Sequence, residues 1–187
     1  MLDHSCQVQR HTNAERGADV YETPACAVEA LLCVEDIPNP VWEPACGPGA
    51  IVRVLRDRGY MVYASDLHDY GCGMSGINFL MTNLHPPVKC IVTNPPYQWA
   101  QQFVERALEL SPLVIMLMRL AFFESDRRSH ILEGCGLARI HCFRKRLPMM
   151  HRKSWQGPKA NSGMAFAWFC WQRGYTGSTT IDRISWE

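Results

Sequence analysis

Residues 41–66 read VWEPACGPGAIVRVLRDRGYMVYASD, and the order of apolar and polar residues in them predicts the core of the fold. The stretch begins with an apolar pair and a glycine-containing turn, and it ends with a short apolar run and a carboxylate. Between them, apolar residues at positions 51, 52, 54 and 55 have helical spacing, and Gly59 is suited to end a helix. Two short apolar segments joined by a helix predict a β-α-β unit with parallel strands.

The same alternation of apolar runs and helical stretches continues towards the C-terminus. PLVIMLM at 112–118 is a continuous apolar run of the kind that parallel sheets bury on both faces, and residues 98–111 have helical spacing. We therefore predict an open α/β sheet with helices on both faces. Its other strand candidates are 89–94, 138–143, 164–174 and, more weakly, GINFL at 76–80.

Size and composition indicate one ordinary globular domain. The 187 residues are 47% hydrophobic and 20% charged, and no linker rich in Gly and Ser divides them. We predict a single domain over 1–187, with residues 1–20 and 175–187 lacking regular structure. No apolar run approaches the ~20 residues that span a bilayer, and the N-terminus lacks the apolar core of a signal peptide. We expect a soluble, cytoplasmic protein.

The cysteines do not have the spacing of a metal site. No Cys-x-x-Cys pair occurs, although such close pairs are typical of zinc ligands. Several of the cysteines lie within apolar runs, where a reduced thiol packs as a small hydrophobe. We predict reduced, structural cysteines and no metal; the nine are at positions 6, 26, 33, 46, 72, 90, 135, 142 and 170.

Charge is unevenly distributed along the chain. Residues 1–110 contain seven Lys and Arg against thirteen Asp and Glu, a net charge of −6, whereas residues 119–153 contain nine against three, a net charge of +6. FRKRLPMMHRK at 143–153 is the densest basic stretch. It is either a solvated surface or a contact for a polyanionic partner.

Three distinctive groups follow predicted strands, at the edge where open α/β sheets bind ligands. The first is EPACGPG at 43–49, where glycines allow a ligand to approach the backbone closely. It matches neither the dinucleotide-binding pattern of glycines nor the phosphate-binding loop. This mismatch favours a small ligand without phosphates. The second is Asp66, 17 residues after Gly49, which either starts a turn or accepts both hydroxyls of a ribose.

The third group is the tetrapeptide NPPY at 94–97. The amide of Asn94 and the carbonyl of Pro95 are two acceptors on a stiff backbone, which suits a planar amine whose hydrogens they can bind. Tyr97 offers a flat face on which a base can stack. Trp99, two residues further on, is expected to pack against the protein.

Together these groups resemble the S-adenosylmethionine-dependent Asn-Pro-Pro-Tyr-class amino methyltransferases, which methylate above all adenine in DNA. Residues 20–177 are similar to small phage- and plasmid-type adenine methyltransferases, including YETPACAVEALL upstream and AFAWFCWQRGYTG downstream. The resemblance implies a Rossmann-like, mostly parallel seven-stranded sheet, S-adenosylmethionine as cofactor and DNA as partner. It also implies that the catalytic residues are Asn94, Pro95, Pro96 and Tyr97.

The resemblance assigns further residues to the cofactor and to the substrate. Asn78 stands where the family often has an acid that contacts the cofactor's adenine, and Trp155 resembles the aromatic residue that covers the second face of a flipped base. Tyr97, Trp155 and the basic residues Arg144, Lys145 and Arg146 are the expected substrate contacts. The expected cofactor contacts are Tyr21, Thr23, Pro24, Glu43, Pro44, Ala45, Cys46, Gly47, Gly49, Asp66, Leu67, Asn78 and Phe79.

Methyl transfer to the 6-amino group of adenine in DNA is the function that the sequence predicts. Its alternatives are transfer to an amino nitrogen in RNA, less favoured transfer to a glutamine amide in a protein, and a binding module without turnover. The basic stretch 119–153 would hold nucleic-acid phosphates. Only 37 residues follow position 150, so we expect no separate target-recognition domain.

Overall fold

A computed structural model describes residues 22–148 and 163–187. Within them, seven strands form one sheet in the order β2-β1-β3-β4-β6-β5-β7. The strands are β1 (Val41–Glu43), β2 (Val62–Ala64), β3 (Cys90–Thr93), β4 (Leu113–Arg119), β5 (Leu137–Phe143), β6 (Phe166–Gln172) and β7 (Thr180–Ile184). The helices are α1 (Ala25–Leu32), α2 (Ala50–Asp57), α3 (Ala100–Leu110) and α4 (Ser129–Leu132), with short 3-10 turns at Tyr97–Trp99, Leu120–Phe123 and Asp126–Arg128.

The sheet is mixed, because β6 runs antiparallel to both of its neighbours while the other four pairings are parallel. β6 begins at the edge of the sheet where β5 ends. Adjacent antiparallel strands can be joined there by a loop, whereas a parallel return would need a crossover connection. The predicted seven-stranded sheet is therefore parallel in six of its strands, and the antiparallel β6 makes it a mixed sheet.

Helices cover both faces of the sheet, as the sequence predicts. Residues 113, 115 and 117 of β4 pack with α1 and α2 on one face, and residues 114, 116 and 118 pack with α3 and α4 on the other. A strand buried on both faces needs apolar residues at every position, which explains the uninterrupted run at 112–118.

Two sequence predictions about strands are wrong. GINFL at 76–80 forms a turn, because the Asn78 carbonyl and side chain accept hydrogen bonds from the backbone of residues 80–82. Its apolar Phe79 is buried by aromatic packing against Trp42 and Phe103 instead of by strand pairing. Conversely, residues 175–187, expected to lack regular structure, contain β7, an edge strand paired with β5.

The architecture brings the carboxyl ends of β1, β2, β3, β4 and β5 to the same edge of the sheet. The glycine-containing loop, Asp66 and the tetrapeptide all follow strands that end there. None of the helices in the described part of the chain is long and apolar enough to cross a membrane.

Candidate functional site

A cavity of about 600 Å³ opens at the carboxyl ends of β1, β2 and β3. All three groups that the sequence singles out contribute to its wall. The predicted residues that line it are Thr23, Glu43, Pro44, Ala45, Cys46, Gly47, Asp66, Leu67, Asn78, Phe79, Asn94, Pro95, Pro96 and Tyr97. Pro24 and Gly49 flank the cavity without lining it, and Tyr21 lies outside the described residues.

The glycine-containing loop turns tightly from β1 into α2. Its Gly49 has φ +89°, and a Cβ at that position would lie 2.3 Å from Cys72 Sγ, so close packing as well as conformation requires glycine. Burial, together with the neighbouring Cys72 thiol, raises the pKa of Cys46 to about 12. Cys46 is therefore a neutral thiol at physiological pH. Cys46 and Gly47 of the loop line the cavity.

Asp66 ties the end of β2 to this loop. Its Oδ2 accepts a hydrogen bond from the Gly47 N–H at 2.9 Å, and its Oδ1 accepts one from the His68 N–H at 2.9 Å. The side chain is only partly buried and lines the cavity. Each carboxylate oxygen retains a second lone pair, so the turn-forming role and a contact to a ligand hydroxyl are compatible.

Glu43, the last residue of β1, has a buried carboxyl group in the wall of the cavity. Thr93 donates its hydroxyl hydrogen to Glu43 Oε1 at 2.5 Å, while Oε2 is buried and has no hydrogen-bond partner in the part of the chain that the structure describes. Burial raises the pKa of Glu43 well above its ordinary value, and the Thr93 hydrogen bond opposes this only in part. The Glu43 carboxyl is thus buried with Oε2 unsatisfied, which costs free energy unless a ligand donates a hydrogen bond to it.

Asn94 stands at the end of β3, and its side chain is held by an unexpected residue. Asn94 Nδ2 donates a hydrogen bond to Thr23 Oγ1 at 3.1 Å, and Thr23 is 5% exposed. The hydrogen bond orients the amide plane of Asn94. Thr23 was predicted to contact the cofactor; the structure adds a contact to the predicted catalytic amide.

Tyr97 begins a 3-10 turn directly after the two prolines. The guanidinium carbon of Arg119 lies over its ring, 4.1 Å from the centroid. Phe166 packs against the same ring, with centroids 6.0 Å apart and planes inclined by 45°. One face of Tyr97 is therefore covered by a cation, a contact that nothing in the local sequence indicates.

Other residues at the cavity have roles that sequence reasoning missed or misplaced. Trp99 was expected to pack against the protein, but it lines the cavity and is 47% exposed. Its position in the turn after the tetrapeptide was a signal that could have identified it. Leu67 lines the cavity and is exposed, whereas Phe79 lines it with only 2% of its surface exposed.

The predicted substrate contacts beyond Tyr97 that belong to the described residues do not line the cavity. Arg144, Lys145 and Arg146 follow β5 and are exposed, and Lys145 forms an ion pair with Glu187. β5 lies three strands from β3, so a strand spacing of about 4.8 Å places these residues roughly 14 Å from the tetrapeptide, at the same edge of the sheet. Trp155 lies outside the described residues.

One cluster in the described residues has the side chains of a metal site. Ligand atoms of Glu35, His141 and Cys170 lie within 4.8 Å of one another, and all three residues are buried. Arg139 donates two hydrogen bonds to the Glu35 carboxylate, at 2.5 and 3.0 Å, and His141 Nε2 lies 2.7 Å from Oε1. Burial raises the pKa of Glu35, but the contacts with His141 and Arg139 outweigh it and lower that pKa below its ordinary value. The carboxylate is thus neutralised within the protein.

No protein-family model and no curated protein matches this sequence, but solved structures match its fold. One is a Vibrio vulnificus YJ016 protein described as a modification subunit of a type I restriction enzyme, with a TM-score of 0.59 and 14% identity. The match covers 86% of this chain, which spans 45% of the length of that protein.

Two other solved structures are described as methyltransferases. A Pyrococcus horikoshii protein described as an RNA methyltransferase has a TM-score of 0.59 and 12% identity, covering 83% of this chain and 87% of its own. Magnesium protoporphyrin IX methyltransferase from Synechocystis PCC 6803, with bound S-adenosylmethionine, has a TM-score of 0.55 and 14% identity, covering 79% and 76%. The chain therefore has a Rossmann-like fold that it shares with methyltransferases.

Proposed function

We propose that this protein transfers a methyl group from S-adenosylmethionine to the 6-amino group of adenine in DNA. The observation that carries the proposal is the position of Asn94–Tyr97 in the wall of a 600 Å³ cavity that also contains the glycine-containing loop and Asp66. A shared fold with methyltransferases supports the reaction class, and the tetrapeptide supports an amino nitrogen as the acceptor.

The residues of the cavity fit the cofactor group by group. The unsatisfied Oε2 of Glu43 suits the cofactor's ammonium, which would supply the missing hydrogen-bond donor. Asp66 would accept the ribose hydroxyls, and the loop backbone at Cys46 and Gly47 would lie against the methionine portion. Asn78 and Leu67 would contact the adenine ring. When bound, the cofactor supplies an electrophilic methyl group.

The chain's own contribution to the reaction is orientation of the acceptor nitrogen and stabilisation of its charge. The side-chain oxygen of Asn94 and the carbonyl oxygen of Pro95 accept hydrogen bonds from the adenine amino group and direct its lone pair towards the methyl carbon. The same two acceptors would stabilise the positive charge that develops on the adenine nitrogen when it receives the methyl group. One amino proton then leaves to solvent, so no strong base is required.

Stacking and phosphate contacts would hold the target nucleotide. Tyr97 would stack on the adenine, which in duplex DNA must leave the helix at a cost of a few kcal/mol. Trp155 would cover its second face, and the exposed residues Arg144, Lys145 and Arg146 would contact phosphates. Tyr21 and Pro24 would complete the methionine end of the cofactor site.

RNA is the second candidate substrate. The protein described as an RNA methyltransferase and the restriction-enzyme modification subunit have the same TM-score, 0.59, to this chain. Phosphate contacts resemble each other in the two nucleic acids, so the basic residues do not discriminate between them. A protein glutamine acceptor and a module without turnover remain the lesser alternatives, and the intact tetrapeptide argues against the latter. Radiolabelled methyl transfer to unmethylated DNA, structured RNA and protein substrates tests all four, and the proposal expects incorporation into DNA.

A further inference from the structure

Arg119 lies beside the proposed acceptor site but outside the cavity. It is the last residue of β4, the strand next to β3, and it pairs with Phe166 of β6. Its guanidinium lies over the ring of Tyr97, 4.1 Å from the centroid, and it does not line the 600 Å³ cavity. Arg119 thus contacts the ring on which the acceptor base would stack, although it does not itself line the cavity.

No acid among residues 22–148 and 163–187 compensates the charge of Arg119. In the described parts of the chain, no carboxylate forms an ion pair with it, and its Nε is buried without a hydrogen-bond partner. Arg128 offers a comparison within the described residues. Its Nε is likewise buried without a hydrogen-bond partner, and it also stacks on an aromatic ring, 4.4 Å from the Phe122 centroid. Unlike Arg119, however, it donates a hydrogen bond from Nη1 to the Phe122 carbonyl at 2.8 Å. Partial burial of a cation without an anion is unfavourable, and stacking compensates only part of the cost.

The geometry of the stack leaves the guanidinium able to bind an anion. Stacking uses the face of the guanidinium plane, whereas its N–H donors point outward in that plane. These donors match the spacing of phosphate oxygens and can bind two of them at once. A nucleotide whose base stacks on Tyr97 brings its own phosphates to this neighbourhood.

We propose that Arg119 binds the phosphodiester next to the target nucleotide while its guanidinium plane supports the Tyr97 ring. The inference rests on the proposed function, because it assumes a nucleic acid whose base is presented to Tyr97. It adds a phosphate contact close to the reacting base, separate from the exposed basic residues that follow β5. That contact would help to hold the extruded nucleotide.

A double-mutant cycle between the protein and the DNA backbone tests this contact. Duplexes carry a neutral methylphosphonate at one position at a time, 5′ or 3′ of the methylated adenine. Wild type, Arg119→Gln and the control Arg128→Gln are compared for dissociation constant and single-turnover methylation rate. We expect one methylphosphonate position and Arg119→Gln each to weaken binding by about tenfold or more, the loss typical of a charged hydrogen bond. The two changes combined should cost no more than either alone.

Arg119→Gln should also lower the slope of log affinity against log salt by roughly one contact, whereas Arg128→Gln should not change it. Cofactor affinity, measured by calorimetry, reports whether the variants are folded. If Arg119→Gln is unfolded, the wild-type methylphosphonate series still tests the proposal. Wild-type binding that is insensitive to a methylphosphonate at every flanking position would overturn it. Arg119→Gln that slows methylation with unchanged DNA affinity and an unchanged methylphosphonate response would also overturn it. Absence of DNA methylation by the wild type would instead reject the proposed function.

Discussion

Replacing Thr23 by Val should slow methyl transfer, because it removes the acceptor that holds the Asn94 amide. Valine keeps the shape of threonine but leaves Asn94 Nδ2 without the 3.1 Å hydrogen bond to Thr23 Oγ1. Loss of one partner of a buried hydrogen bond costs about 1–3 kcal/mol. If that energy is lost from orientation of the amide in the transition state, the single-turnover rate falls about 5- to 150-fold.

The assay is single-turnover methylation of DNA at saturating cofactor, with cofactor affinity measured separately by calorimetry. Thr23→Ser retains the hydroxyl and serves as the matched control, which should stay close to wild type. A variant Thr23→Val that binds the cofactor more weakly but methylates at the wild-type rate would show that Thr23 serves the cofactor alone. The positioning role inferred from its contact with Asn94 would then be wrong.

Three further predictions concern stacking, titration and charge. Tyr97→Ala should weaken DNA binding by the ~1–3 kcal/mol of a stacked base, while Tyr97→Phe should be far milder; equal losses in gel-shift titrations would mean that the hydroxyl matters more than the ring. Since folding raises the pKa of Glu43, the folded state binds its proton more tightly, and the free energy of unfolding should fall as pH rises from the ordinary carboxyl range through the folded pKa. Urea unfolding of Glu43→Gln should lack this component, and identical pH profiles for the two proteins would contradict the raised pKa of the buried Glu43 carboxyl. The third prediction concerns the exposed basic residues after β5, which are Arg144, Lys145 and Arg146. Neutralising them should lower the salt slope of DNA binding by up to about 0.9 per phosphate contact, equally for all DNA sequences. A loss of binding confined to one DNA sequence would mean that these residues read bases.

Much of the fold can be predicted because its central strands are buried on both faces. The continuous apolar run of β4 indicates a strand in the interior of a sheet, and β4 is buried at six of its seven positions. The glycines after β1 likewise predict the turn that follows this strand. β7 escaped prediction because four of its five residues are exposed, so no apolar pattern marks it. GINFL misled because Phe79 is buried by aromatic neighbours and not by a strand pairing.

The cavity could be anticipated to the extent that its residues follow strands. Parallel strands end at a common edge, so Glu43, Asp66 and Asn94 were expected to meet, and all three line one cavity. Contacts between side chains that are distant in sequence could not be predicted from the local sequence patterns. The hydrogen bond of Asn94 joins it to Thr23, 71 positions away. The cation over the Tyr97 ring is Arg119, the last residue of the neighbouring strand β4. The raised pKa of Glu43 likewise depends on burial that no local pattern reveals.

The most direct measurement of the central claim is the identification of the methylated nucleoside. Purified protein is incubated with isotopically labelled S-adenosylmethionine and unmethylated DNA, and the digested nucleosides are separated by mass spectrometry. Wild type is expected to yield labelled 6-methyladenine, and Asn94→Ala is expected to yield none while binding the cofactor with nearly unchanged affinity. Absence of label in the DNA, or 6-methyladenine formed equally by Asn94→Ala, would contradict the account.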